Sequence, residues 1–318
     1  MHSCSRALSA RVAPLARVRI GGLDRYGERV SDEDPEISVV IPTYNRAPAL
    51  RLNFPYVLGL EEIREIVVVV DGSTDETREL LTGLGDDRVR VIAHAKRRGS
   101  QAARQTGVAA AHGEWLLMLD DDCGVFPEFA RVLLDAARRR DADIVAAPWL
   151  HVGPGADPRE AYATARESPS PRIGLHTHPS VFPDRDLETP FLPGNVLINR
   201  RVFEQVIYDE GLTHNAWREE TSFYLDACAA GFRCVMTPHT ASFQLGQWEG
   251  GQRLPRLAYE FHALRNNWRF LRRYENDLRA RGEIRSALSG ELTFAWMRAS
   301  SMVRGYAGAR IRGIRHDD

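Results

Sequence analysis

The chain has 318 residues, 43% of them hydrophobic and 27% charged, with a net charge of −1. That length can bury a substantial core, while the near-zero charge gives no global pull toward nucleic acid or an acidic surface. The four cysteines (Cys4, Cys123, Cys228 and Cys234) lack paired spacing, which argues against a zinc knuckle or a disulfide framework and fits a reducing cytoplasm.

No apolar stretch approaches the ~18–20 residues that span a bilayer. The N-terminus, despite Arg6, Arg11, Arg17 and Arg19, lacks the apolar run of a signal peptide. Residues 1–35 show no clean period and are expected to form a mobile extension. Ile37–Pro42 is β-branched and reads as a buried strand feeding a loop. A helix from Pro48 to about Leu60 follows, with Pro55 expected to kink or end it. Glu65–Asp71 is a second buried strand ending in an acid. After it, Ser73 or Thr74 is placed to cap a helix ended by Gly83 or Gly85. Val89–His94 is a third strand, and residues 100–112 form a third helix.

Glu114–Cys123, EWLLMLDDDC, is the most informative stretch. Its apolar run predicts a strand buried on both faces, and it stops at Asp120, Asp121 and Asp122. On an extended chain Asp120 and Asp122 point the same way and Asp121 the other. Like charges this close repel, so they stabilise a fold poorly. They suit Mg²⁺ or Mn²⁺, which take oxygen ligands and share them with substrate phosphates; the plainer reading is a solvated acidic turn. A helix near 127–140 and a strand at 143–147 come next. Residues 148–194 are proline-rich with weak periodicity, as in a binding loop. His176 and His178 lie there, an HxH pair without a readable third ligand and better read as loop histidines. Val196–Phe203 restores a strand, residues 217–231 a helix, and FRCVMTP another strand; from about Pro255 the chain is helical and arginine-rich. Strands alternating with helices predict a doubly wound, mostly parallel α/β sheet.

IPTYNR (41–46), VVVDGSTDET (68–77), the run from Gly99 to DDD, PFLPGNVLINRRVF (190–203) and WREETSFYLDACAAGFRC (217–234) occur in an order that resembles the family 2 glycosyltransferases. The match covers residues 36–245. It implies a GT-A fold with a nucleotide-sugar half at 36–150, an acceptor half with the catalytic base at 151–250, and a helical extension at 251–318. The implied activity is an inverting hexosyltransferase-like enzyme of cell-surface polysaccharide or natural-product glycosylation. It would take a UDP-, GDP- or dTDP-sugar donor, with Mn²⁺ or Mg²⁺, to a glycan, lipid-linked or small-molecule acceptor.

By that resemblance Asp122 holds the metal and Asp120 the metal or the ribose, with Asp121 beside them. Pro42 and Tyr44 line the nucleotide, Tyr44 stacking on the base or merely packing its loop. Asp71 accepts a hydrogen bond from the base, unless it is only a helix cap. Arg104 contacts the nucleotide or is solvated. Glu220 falls where the family has an aspartate base, one methylene shorter; a helix end decorated with acids is the alternative. Arg218 is placed to keep Glu219 ionised. Gln244 stands where many relatives carry a metal-binding histidine, with His239 a possible substitute.

Phe261, Leu264, Trp268 and Leu271 share a helical face. They are expected to dock on the catalytic domain, or else to touch a membrane at its cytoplasmic side. Two other readings are a catalytically inactive sugar-nucleotide or carbohydrate-binding protein and, less well supported, a nucleotidyltransferase, for which IPTYNRAPAL lacks a glycine-rich loop. No GxGxxG follows an early strand, and nucleic-acid binding has no support.

Overall fold

The computed structural model describes residues 36–60, 62–153, 155–209, 211–212, 216–245 and 254–313, with side chains to residue 300. The expected N-terminal extension lies outside the described residues. In chain order the elements are β1 (Ile37–Thr43), α1 (Ala47–Leu58), β2 (Glu65–Asp71), α2 (Thr77–Thr82), β3 (Val89–His94), α3 (Ser100–Ala110) and β4 (Trp115–Met118). There follow β5 (Gly124–Val125), α4 (Phe129–Arg140), β6 (Ile144–Ala146), β7 (Trp149–His151), α5 (Pro158–Ala165), β8 (Leu187–Glu188) and β9 (Val196–Asn199). A 3₁₀ turn (Arg200–Glu204) leads to α6 (Glu219–Ala229), β10 (Cys234–Met236), β11 (Ser242–Gln244), α7 (Arg256–Arg273), α8 (Glu275–Ala280) and α9 (Ala287–Gly313).

Eight strands form one sheet in the order β3-β2-β1-β4-β9-β6-β10-β8. β3, β2, β1 and β4 are parallel neighbours, so the α/β, mostly parallel class expected from sequence is what folds. Their apolar runs are buried on both faces, by Leu50, Phe54 and Leu133 among others on one side and by Ala103, Phe223 and Tyr224 on the other. β1 sits between β2 and β4, so the winding direction changes between β1 and β4, and a crevice opens beyond their carboxyl ends. β9 runs antiparallel to both β4 and β6. A small sheet, β5-β11-β7, flanks the crevice. Among the described residues no helix is long and apolar enough to cross a membrane.

Three local expectations need correction. α1 runs three residues past Pro55 and does not end there; Pro55 and Arg51 are on the exposed side, where water can take the carbonyl that the missing N–H leaves unbonded. α2 starts at Thr77 with no side-chain cap from the residue before it; Asp75 instead accepts from the Thr77 N–H at 3.1 Å and serves the neighbouring helix as well. Thr77 Oγ1 accepts from Arg46 N–H at 3.0 Å and Asp75 from Ala47 N–H at 3.2 Å, at the start of α1. Ser73 and Thr74 instead bond Asn45. Finally, α7 does not bury the face its spacing singles out. Ala263, Asn266, Asn267, Phe270 and Leu271 go inside, while Phe261 and Trp268 are exposed.

Candidate active site

The crevice is a cleft of about 660 Å³. Pro42, Tyr44, Asp71, Arg104, Asp120, Asp121, Asp122 and Glu220 all line it. Eight residues picked from five separate segments therefore meet in one place. Thr43, Arg46, Arg97, Ser100 and Glu219 line it too.

The β1 and β2 ends are stitched together by the Asn45–Thr74 bonds, and this fixes the backbone that carries Tyr44 and Arg46. The Arg97 guanidinium lies 4.8 Å from the Tyr44 ring centroid. Asp71 is buried, and both its oxygens organise the loop before α3. They accept from Arg98 N–H and Gly99 N–H at 2.8 Å each, with His94 Nδ1 at 2.7 Å. A helix cap ahead of Ser73 is not what it forms. Gly72, at φ +69°, lets that loop close: a Cβ there would lie 2.5 Å from the Arg97 nitrogen.

Beyond β4 the three aspartates diverge. Thr43 Oγ1 donates to Asp121 at 2.7 Å, and Arg46 reaches Asp121 at 3.6 Å and Asp122 at 3.5 Å. Burial, reinforced by Asp122, pushes the Asp121 carboxyl up to about 7; burial and then Asp120 raise Asp122 as well. Asp120 takes a 2.9 Å bond from Arg104, so the expected grouping of Asp120 with Asp122 does not hold for these ion pairs: β4 ends at Met118, the extended alternation stops there, and Asp121 and Asp122 share Arg46. The Asp120 N–H donates to Asn195 Oδ1 at 2.9 Å, and Asn195 donates onward to Ser242 of β11 at 3.0 Å.

Arg104 is not solvated. Only 6% of its side chain is exposed, and it bridges Glu219, Asp120 and, at 3.6 Å, Glu220. Burial alone would lower its pKa, but these three acids hold it well above the usual range. Glu219 is thus neutralised by Arg104 and by a 3.1 Å bond from Ser100. Arg218, expected in that role, is overturned. In left-handed backbone at φ +75°, it points away and donates to Asn267 at 2.9 Å and to the Leu175 carbonyl at 3.2 Å. Glu220 keeps about a third of its side chain open to the cleft, yet burial and then Glu219 push its carboxyl up to about 7. Its Oε1 and Asp120 Oδ2 both approach Gly194, within 3.1 and 3.3 Å of where a Cβ would stand.

Gln244 hydrogen-bonds Asp122, and its buried Oε1 has no partner. His239 stands off, 3.8 Å from Asp186. Among the described residues no group of three or more His, Cys, Asp or Glu is gathered as a metal cage; His176 and His178 form no such site. The donor set of Asp122, Asp120 and the orphaned amide oxygen fits a hard cation that takes its remaining ligands from substrate and water. Sequence reasoning quoted Arg46 and Asn195 within their motifs but gave them no role. Arg46 stands three residues past the end of β1 and Asn195 one before the start of β9, the only signal they carry.

Residues 38–207 match the family model for glycosyl transferase family 2. Succinoglycan biosynthesis protein ExoO of Rhizobium meliloti (strain 1021) is 30% identical over 253 residues, covering 77% of this chain and 71% of its own. Human dolichyl-phosphate beta-glucosyltransferase is 33% identical over 111 residues, 30% of this chain and 34% of its own length. Two solved structures share the fold. S. aureus TarS in complex with UDP-GlcNAc superposes with a TM-score of 0.52 at 16% identity, over 74% of this chain and 66% of that one. GalNAc-T7 with UDP, GalNAc and Mn²⁺ gives 0.55 at 19%, over 76% and 48%.

Proposed function

Because the chain belongs to glycosyl transferase family 2 and is a glycosyltransferase, we propose that this cleft moves a sugar from a nucleoside diphosphate to an acceptor hydroxyl with inversion. The observation that carries the reading is the convergence of Asp71, Asp120–Asp122 and Glu220 on one cleft from both halves of the sheet. Residues 36–150 form the donor half: Pro42 and Tyr44 flank the base, and Asp71 holds the loop around it. Arg46, over Asp121 and Asp122, offers positive charge to a diphosphate. Asp122, with Asp120 and Gln244, would hold Mn²⁺ or Mg²⁺. When bound, that ion spreads the charge of the departing diphosphate.

Residues 151–250 form the acceptor half. Glu220 takes the acceptor proton onto a carboxylate oxygen as the hydroxyl attacks the anomeric carbon. Its pKa near 7 suits a base working near neutrality. Asp120 and Glu219 are tied tightly to Arg104, which leaves Glu220, at 3.6 Å from the same guanidinium, as the acid of the acceptor half open to the cleft for proton transfer, and this supports inversion. ExoO, named for succinoglycan biosynthesis, supports a glycan acceptor.

The test is a thermal-shift panel of UDP-, GDP- and dTDP-sugars with and without Mn²⁺, followed by NMR of the transferred anomer. One nucleotide class should stabilise the protein, more so with metal, in proportion to the logarithm of its concentration over its Kd. Retention at the anomeric carbon would overturn inversion. Donor binding without transfer or hydrolysis toward any acceptor would favour a sugar-nucleotide-binding protein instead.

A further inference from the structure

α7 and α9 form an antiparallel hairpin, with Glu260 paired to Arg298 and Asn267 bonded to Glu291. Each helix buries small and mixed residues, Ala287, Gly290 and Phe294 in the case of α9. Phe270, Leu271 and Phe294 are buried, but six other large apolar groups lie outside. Leu257, Phe261 and Trp268 are 81%, 62% and 39% exposed on α7; Leu288, Leu292 and Trp296 are 60%, 63% and 74% exposed on α9. Their spacings of four and seven make each set a stripe on one side of its helix, turned from the buried side. A patch of this kind marks an interaction surface rather than a face meant for water.

Charge tells what covers it. Residues 255–300 hold nine arginines against five acids, a net of +4, whereas the preceding 254 residues carry −7. A second copy would set +4 against +4. Residues 1–34, with six arginines against five acids, offer no complement either. An anionic surface does, and it would repel the acidic remainder of the chain. Tryptophan at the rim of an apolar stripe suits the headgroup boundary.

We propose that the α7–α9 hairpin docks on an anionic lipid bilayer, its two apolar stripes entering the headgroup–acyl boundary and its arginines meeting lipid phosphates. Tyr259, on the side of α7 away from Leu257 and Phe261, lines the cleft together with Leu254, so docking holds the cleft about one helix width, ~10 Å, from the headgroups. An acceptor carried on a lipid in the same bilayer is then delivered to Glu220. That consequence rests on the transfer reading above; docking itself does not.

The experiment is co-sedimentation of the full chain with vesicles of phosphatidylcholine alone or with phosphatidylglycerol added, at low and high salt. Pelleting with the anionic vesicles, release by salt and a loss of partitioning of about tenfold or more in Leu292→Glu/Trp296→Glu are expected. Circular dichroism and donor hydrolysis should stay unchanged in that variant. Equal binding to both vesicles, or to neither, overturns the proposal. So does a dimer by light scattering that the double variant disperses, which would give the face to a second copy. Unchanged vesicle binding in the variant, with residues 1–34 newly open to trypsin, would give it to that segment and overturn the proposal as well.

Discussion

The two acidic clusters of the cleft are built in opposite ways. Asp120, Asp121 and Asp122 are consecutive, and the end of β4 alone brings them into the crevice. Glu219 and Glu220 start α6, and their environment comes from Arg104, 115 residues away along the chain. The first cluster is concentrated by backbone geometry and left short of cations, with Arg46 no closer than 3.5 Å. The second is divided by one buried guanidinium into a closely paired acid, Glu219, and a more loosely held one, Glu220, while burial raises the pKa of both. A strand end serves where charge must stay available to a ligand; a long-range ion pair serves where one of two neighbouring carboxylates must be held and the other left open to the cleft.

Breaking the first cluster should have the larger effect on chemistry. Asp122→Ala is expected to reduce metal-dependent transfer to background, a barrier increase of several kcal/mol, with circular dichroism unchanged because the residue stands beyond the strand. Full activity and an unaltered response to EDTA would remove this aspartate from the site. Arg104→Met attacks the second cluster at its centre. Leaving Glu219 buried and unpaired should cost about 3–5 kcal/mol in urea unfolding. Adding Glu219→Gln should recover part of that loss, and a double variant no more stable than the single would disprove the partition argued here.

Glu220→Gln should keep nucleotide binding while transfer falls by about 10² to 10⁴, with Glu219→Gln milder. In the unmodified protein kcat/KM should climb as pH rises through about 7, since the base works only when deprotonated. The limb belongs to the coupled acids rather than to one residue, and it should vanish in Glu220→Gln. Gln244→Leu sharpens the first cluster, weakening Mn²⁺ by about 10- to 100-fold as read by metal titration of donor hydrolysis.

The smallest effect concerns stability without metal. A carboxyl raised to about 7 binds a proton in the fold that the unfolded chain has released above its ordinary range. Its stabilising share is therefore present at low pH and lost as pH rises through 7. Asp121→Asn should accordingly raise Tm at pH 8, by about 2–4 °C per kcal/mol, and change little at pH 4.

What the sequence disclosed follows the same division. Strands such as Val67–Val70 announce themselves because burial on both faces leaves only apolar residues, and the aspartates are legible because nothing separates them. The antiparallel direction of β9 is not, since Val196–Ile198 would be as apolar either way. The role of Arg104 is hidden by distance, and Arg218 looked the better partner for Glu219 only because it was adjacent. The buried face of α7 escaped because Asn266 and Asn267 read as solvent-facing. Inside, Asn267 meets both Arg218 and Glu291, which satisfies its amide.

Gly194 gives this division a physical gauge. With no side chain, it lets a carboxylate from each cluster approach the same point, so the gap between proton acceptor and departing diphosphate is set by an atom that is not there. Adding one methyl would act as a wedge, either tilting α6 or turning Asp120 off Arg104. Reach toward the acceptor and grip on the donor are therefore adjusted by a single dial, and a change at this glycine cannot tune one without detuning the other.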